Sequence, residues 1–229
     1  MQEHIPLGTD LDILNEIGKW KVIPLKGLYQ SLKEPMIYNG FCKRVQILER
    51  VGLVRGFTKN KSKYVVLTLK GSTVSKFSNY YDENEDSLNH DLTAALVLRR
   101  ILEFENFKSG EIFNADYMDI SPDATIYAKR GGREYTLALE LELSQKNRNR
   151  VTGKFSKYAH SQAINHVLYV FNKQNIFESY NRILSEMNDL VQGKIILCCD
   201  TGLSLKGFNY VESQCWHRQT AKTFNQIFK

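Results

Sequence analysis

Long apolar runs are missing from this sequence: none approaches the eighteen residues that a membrane-spanning helix needs. The opening stretch MQEHIPLGTDLD is polar, so no signal peptide and no membrane attachment are expected. Cysteine is scarce and badly placed for structural use. The four thiols, Cys42, Cys198, Cys199 and Cys215, have neither paired nor zinc-ligand spacing, which argues against a disulfide framework and for a reducing, cytoplasmic setting. No internal repeat and no low-complexity segment is present. With 42% hydrophobic and 24% charged residues over 229 positions, the chain reads as globular and holds one large domain or two small ones.

Charge is the first informative presence. Residues 1–80 carry 13 Lys/Arg against 6 Asp/Glu, a net of +7, whereas residues 81–229 carry 18 against 19, a net of −1. The excess positive charge sits entirely in the first third, an asymmetry expected of a nucleic-acid-binding module. TDLDILNEIGKW predicts a short helix after Thr9, LKGLYQSL a second, and MIYNGFCKRVQILERVG an amphipathic third with Phe41, Val45 and Leu48 inward and a stop at Gly52. Two β-rich runs, LVRGF and KYVVLTL, follow around the polar TKNKS. Helices followed by a basic-tipped hairpin are the order of a winged helix. In it Lys43, Arg44 and Arg50 would face DNA from the third helix, and Lys59, Lys61 and Lys63 from the wing. The plainer alternative is a solvated basic face, but residues 43–70 hold 8 basic residues against Glu49 alone.

The acidic run near residue 85 marks a boundary, giving domains of 1–80 and 81–229. Beyond it the pattern predicts a helix from Leu88, strands near 111–114, 120–128 and 135–143, a helix at 150–163, the strand HVLYVF, a helix at 176–191 and the strand KIILCCD. The alternation implies an α/β, overall α+β, mixed sheet with helices on both faces. A terminal helix is expected in the last twenty-five residues.

The second half of SPDATIYAKRGGREYTLALELELSQKNR alternates strictly, with Leu137, Leu139, Leu141 and Leu143 on one side and Glu140 and Glu142 on the other. A two-residue turn at Gly131-Gly132 pairs Arg130 with Arg133, and by the same register Asp123 with Glu140. Like charges directly opposite repel. Three carboxylates, Asp123, Glu140 and Glu142, therefore suggest ligands for Mg²⁺ or Mn²⁺, a cation able to polarise a phosphodiester. Ordinary solvent-facing glutamates and a turn aspartate after Pro122 are the alternative reading.

Pro122-Asp123 followed by Glu140-Leu141-Glu142, in this order of elements, resembles the PD-(D/E)XK nuclease fold. That resemblance implies Mg²⁺ at Asp123 and Glu140 and a water-orienting lysine where Glu142 stands. Some restriction endonucleases of the fold carry glutamate there, and Lys146 or Lys154 is then the source of positive charge. Over residues 10–200 the chain also resembles the replication-relaxation and MobC-type plasmid mobilisation proteins, through His90-Asp91, PDA at 122–124, Glu140 to Lys146, and Lys154 with Tyr158. This implies a metal-dependent, strand-nicking DNA endonuclease, with other mobilisation or replication proteins and a second copy of the chain as further partners. A non-catalytic DNA-binding accessory protein on the same fold is the alternative. His90 either assists proton transfer or caps its helix. Lys154 and Tyr158, one turn apart, either reach phosphate or serve as surface and core. Lys146, Arg148, Arg150, Lys154 and Lys157 directly follow the carboxylates and would hold DNA backbone near a metal, the alternative being a solvated loop and helix face.

Overall fold

The computed structural model describes residues 5–32, 36–59, 61–81, 85–112, 120–205, 207–211 and 213–229, with only the backbone of 85–87. It forms two compact units, Met1–Ala95 and Leu96–Lys229. The division falls inside a helix rather than at residue 80, where the acidic run alone would place it. Among the described residues no helix is long and apolar enough to cross a membrane.

The first unit runs α1 (Thr9–Trp20), β1 (Val22–Pro24), α2 (Leu25–Ser31), α3 (Tyr38–Arg50), β2 (Val54–Lys59), β3 (Ser62–Leu67) and the single turn α4 (Leu69–Ser72). Asp10 and Asp12 in the first turn of α1 and Lys19 in its last complement the helix dipole, and Ile13, Leu14 and Ile17 are fully buried. In α3 the expected Phe41, Val45 and Leu48 form the buried stripe. The three strands make an antiparallel sheet in the order β1-β3-β2. Lys61, at φ 62°, lies in the turn of the β2–β3 hairpin.

α5 (Glu85–Ile101) leads into the second unit, which continues through β4 (Phe107–Ile112), β5 (Ala124–Arg130), β6 (Arg133–Glu142), α6 (Arg148–His160), β7 (His166–Phe171), α7 (Gln174–Ser185), α8 (Asp189–Lys194) and β8 (Ile195–Cys199). It closes with β9 (Gln214–His217), β10 (Thr220–Lys222) and α9 (Phe224–Phe228). Seven described strands form a mixed sheet in the order β10-β9-β8-β7-β6-β5-β4, parallel at β6–β7 and β7–β8 and antiparallel elsewhere. One face is covered by α6, α7 and α8, whose Val151, Phe155, Ile176, Phe177 and Val191 pack with Ala138, Val167 and Tyr169. On the other, Leu137 and Leu139 are fully buried, and Leu98 of α5 lies against Gly110 of β4. The mixed α+β architecture is therefore the one expected.

Several elements differ from the sequence expectation, and β1 and α4 were not foreseen. The helix foreseen over 176–191 is two, because the Asn188 side chain accepts from Val191 N–H at 3.1 Å and caps a new start. The strand foreseen at 111–114 is Phe107–Ile112, and residues 113–119 lie outside the described residues. The β9–β10 hairpin was not foreseen. Its turn residues, Arg218 and Gln219, hold φ of 50° and 57° without glycine or asparagine to announce a turn.

Gly71 shows how tightly the first unit closes: a Cβ there would sit 1.9 Å from the Leu53 carbonyl oxygen, a backbone atom that cannot swing away. Gly71→Ala should therefore destabilise the first unit by roughly 1–3 kcal/mol. Urea denaturation followed by tryptophan fluorescence measures this, and an unchanged midpoint would show that α4 does not press on Leu53.

Candidate functional site

The β5–β6 hairpin turns through Gly131 and Gly132 at φ 55° and 83°, the left-handed pair that a two-residue turn matching strand twist demands. Its register runs from Arg130↔Arg133 to Ala124↔Leu139. One step further, Asp123 meets the end of β6. Its main-chain N–H donates to the Leu139 carbonyl at 3.0 Å, and its carboxylate Oδ2 accepts from Leu141 N–H at 2.6 Å. The side chain thus takes over the ladder where the strand ends, and is held beside residue 140.

Glu140 and Glu142 are not on a solvent face. They point with Ala138 toward the helix layer and are 2% and 7% exposed. α6 makes this tolerable. The Asn147 side chain caps it by accepting from Arg150 N–H at 2.8 Å, and Val151 and Phe155 bury its inner stripe. That setting brings Lys154 and Tyr158, one turn apart, onto the same carboxylate. Lys154 Nζ lies 2.5 Å from Glu140 Oε2, and the Tyr158 hydroxyl donates to Oε1. Tyr158 is fully buried, so of its two readings the core one is what the geometry realises.

Burial pushes the Glu140 carboxyl up to about 8, with the Asp123 charge adding to the rise and Lys154 and Tyr158 opposing it. Burial also raises Glu142, against the pull of Lys154, Lys146 and the Tyr180 hydroxyl. Tyr158 and Tyr180 are raised by burial and by the neighbouring carboxylates, so both stay neutral; Tyr158 donates to Glu140, whereas the Tyr180 hydroxyl makes no hydrogen bond among the described residues. Tyr169 faces Glu140 across the parallel β6–β7 register, 1% exposed, and its hydroxyl has no hydrogen-bond partner among the described residues. The sequence reading missed Tyr169 and Tyr180. Tyr169 is found only by knowing the parallel register, and Tyr180 carries just the signal of an amphipathic helix.

Among the described residues no three His, Cys, Asp or Glu side chains come together as a cage for a metal ion. The donor chemistry nonetheless fits a hard divalent cation. It offers carboxylate oxygens only, with Asp123, Glu140 and Glu142 set against Lys154 and Lys146, and the positive charge does not offset burial at Glu140. Mg²⁺ commonly takes one or two carboxylates and completes its shell with water and phosphate, so Asp123 and Glu140 suffice in number.

The other candidates divide by what they touch. His90 lies in the first unit, its Nδ1 3.8 Å from Asp91 Oδ1, and Asp91 pairs with Lys21 at 2.9 Å. Burial would raise the Asp91 carboxyl, but His90 and Lys21 together hold it below its ordinary value. On α3, Lys43 and Arg50 are exposed, whereas Arg44 reaches Asp10 at 2.9 Å and ties α3 to α1. On the hairpin, Lys61 is exposed, Lys59 half-buried, and Lys63 pairs with Glu49 at 2.8 Å, in space that Gly56 leaves open. Lys146 Nζ donates to Ser144 Oγ at 2.8 Å, and Arg148 is engaged by Glu186. Arg44, Lys63 and Arg148 are thus bound to carboxylates of the chain itself.

No protein-family model matches the chain, and no curated protein does. Among solved structures, restriction endonuclease FokI matches over 81% of this chain and 44% of its own, at 12% identity and a TM-score of 0.28. The same enzyme bound to DNA matches over 83% and 46%, at 9% identity and a TM-score of 0.24. The chain thus spans less than half the length of these structures, and scores this low establish no common fold.

The raised Glu140 carboxyl has a measurable consequence for stability. Its folded value, about 8, exceeds the ordinary 4.5, so the folded state holds the proton longer than the unfolded one. Stability should therefore fall as pH rises from about 4.5 to about 8 and then level off. Glu140→Gln should remove this component, gaining on the wild type as pH rises through that window. Urea midpoints at pH 5, 6.5 and 8, compared between the two proteins, decide it; parallel slopes would mean that Glu140 is solvated.

Proposed function

We propose that the chain is a metal-dependent DNA endonuclease, with a winged helix in the first unit and a PD-(D/E)XK-like nuclease in the second. One observation carries this reading: Lys154 Nζ stands 2.5 Å from Glu140 Oε2, beside Asp123. A lysine is thereby supplied to the acidic pair from α6, while the strand position where the resemblance calls for one holds Glu142. The antiparallel order β1-β3-β2 behind α3 supports the winged-helix half, with Lys43, Arg50 and Lys61 as its exposed cations. The plasmid-mobilisation setting rests on the sequence motifs alone.

In this reading Asp123 and Glu140 would hold Mg²⁺ or Mn²⁺, with Glu142 supporting them. The ion would supply polarisation of the scissile phosphodiester and a more acidic water. Leu141 N–H fixes the Asp123 carboxylate through one oxygen, and Tyr158 fixes Glu140 from the side away from Lys154. The Lys154 side chain, 31% exposed, bridges buried carboxylate and solvent, the place from which an ammonium can orient an attacking water. The non-catalytic alternative is favoured by one observation, that both Glu140 oxygens already have partners within the chain.

Nicking of supercoiled plasmid in Mg²⁺ or Mn²⁺ separates the two. Asp123→Asn and Glu140→Gln should abolish nicking, and Lys154→Ala should slow it by about 10²–10⁴-fold, the range of a lost acid–base or orienting group. Absence of nicking in the wild type, with DNA binding intact, would establish the accessory role instead. In the first unit, Lys43→Gln with Arg50→Gln should weaken DNA binding and lower the slope of log affinity against log salt by about 2. Arg44→Gln should act chiefly on stability, since Arg44 serves Asp10.

A further inference from the structure

α6 carries Arg148, Arg150, Lys154 and Lys157 and no acidic residue. Arg148 is engaged by Glu186 and Lys154 by Glu140. Arg150 and Lys157 are exposed and make no ion pair among the described residues. Two arginines in the first turn also oppose the helix dipole, so helix stability does not account for them.

Gly153 lies between the two exposed cations, three residues after Arg150 and four before Lys157, on the same face. Glycine is the poorest helix former after proline, and inside a helix it is usually kept because a neighbour needs the room. Gly18 and Gly71 follow that rule, since a Cβ on each would meet another atom at 2.7 Å or less, whereas on Gly40 and Gly193 it would meet nothing closer than 3.8 Å. At Gly153 a Cβ would meet nothing within 4 Å, and the residue is not among those with positive φ. Neither packing nor backbone conformation within the chain calls for glycine there. The open helix face at Gly153 and the two exposed cations flanking it fit a polyanion.

We propose that Arg150, Gly153 and Lys157 form a phosphate-backbone contact for nucleic acid. The missing side chain lets the backbone close onto α6 beside Lys154. This shares its ligand with the endonuclease reading but does not need cleavage. Of the basic run from Lys146 to Lys157 expected on DNA backbone, it selects the outer face of the helix, because Arg148 and Lys154 are engaged by Glu186 and Glu140.

The test is DNA affinity of the full chain at several salt concentrations without divalent metal, with poly-glutamate as a second probe. Gly153→Ala and Gly153→Leu should raise the melting temperature, since each is a better helix former. Gly153→Leu should nevertheless weaken binding to duplex DNA by about tenfold or more, and Arg150→Gln with Lys157→Gln should lower the salt slope by about 2. Wild-type affinity and slope in both variants would overturn the proposal. So would binding of poly-glutamate in preference to DNA that these substitutions abolish, which would assign the face to an acidic protein. Nicking by the wild type separates the two claims. If the wild type nicks nothing but Gly153→Leu still loses DNA, the contact stands and the endonuclease reading falls.

Discussion

The second unit is organised around one buried carboxylate. Glu140, 2% exposed, lies under α6, where a lone carboxylate would be prohibitively expensive to ionise. Lys154 and Tyr158 answer it from consecutive turns of α6, and with the packing of Val151 and Phe155 they set the helix over the sheet. Asp123 is fixed in turn by the backbone one residue on from Glu140. The hairpin, α6 and Tyr169 of β7 meet at that acid. Well-packed apolar residues usually serve stability as well as a buried ion pair does or better. A pair between buried Glu140 and half-exposed Lys154 is thus not the cheapest way to stabilise this layer.

The two glutamates on one strand face were legible as an anomaly, and the hairpin register that brings Asp123 to Glu140 was legible from Gly131-Gly132. Both are local: a turn fixes a register, and a register fixes which residues share a face. The depth of the glutamates was not legible. Alternation gives the face but not what covers it, and α6 arrives there only through the parallel β6–β7 pairing, which no turn encodes. Tyr169 and Tyr180 were invisible for the same reason. The β9–β10 hairpin lacked even a local signal, because Arg218 and Gln219 hold positive φ without the residues that usually mark it.

The basic residues teach a different lesson. A net charge of +7 over residues 1–80 overstates what remains for a partner, because Arg44 answers Asp10 and Lys63 answers Glu49. Both pairs are long-range in sequence and therefore unreadable from composition. What they leave, Lys43 and Arg50 on α3 and Lys61 at the hairpin turn, is a narrower cationic surface. Exposed charge, once internal pairs are subtracted, is the quantity that bears on binding a polyanion.

Moving the lysine from strand to helix changes what it can do. On β6, a lysine at position 142 would share the face of Glu140, on a backbone paired with Phe171 of β7. From α6 the side chain reaches inward from a half-exposed position, so its ammonium can exchange Glu140 for a water or a phosphate by rotating its own stem. Glu140, left with Tyr158 alone, would be raised further unless a cation took the place of the ammonium. Were a metal ion to bind Asp123 and Glu140 as proposed, it would take over the charge that Lys154 now sets against Glu140.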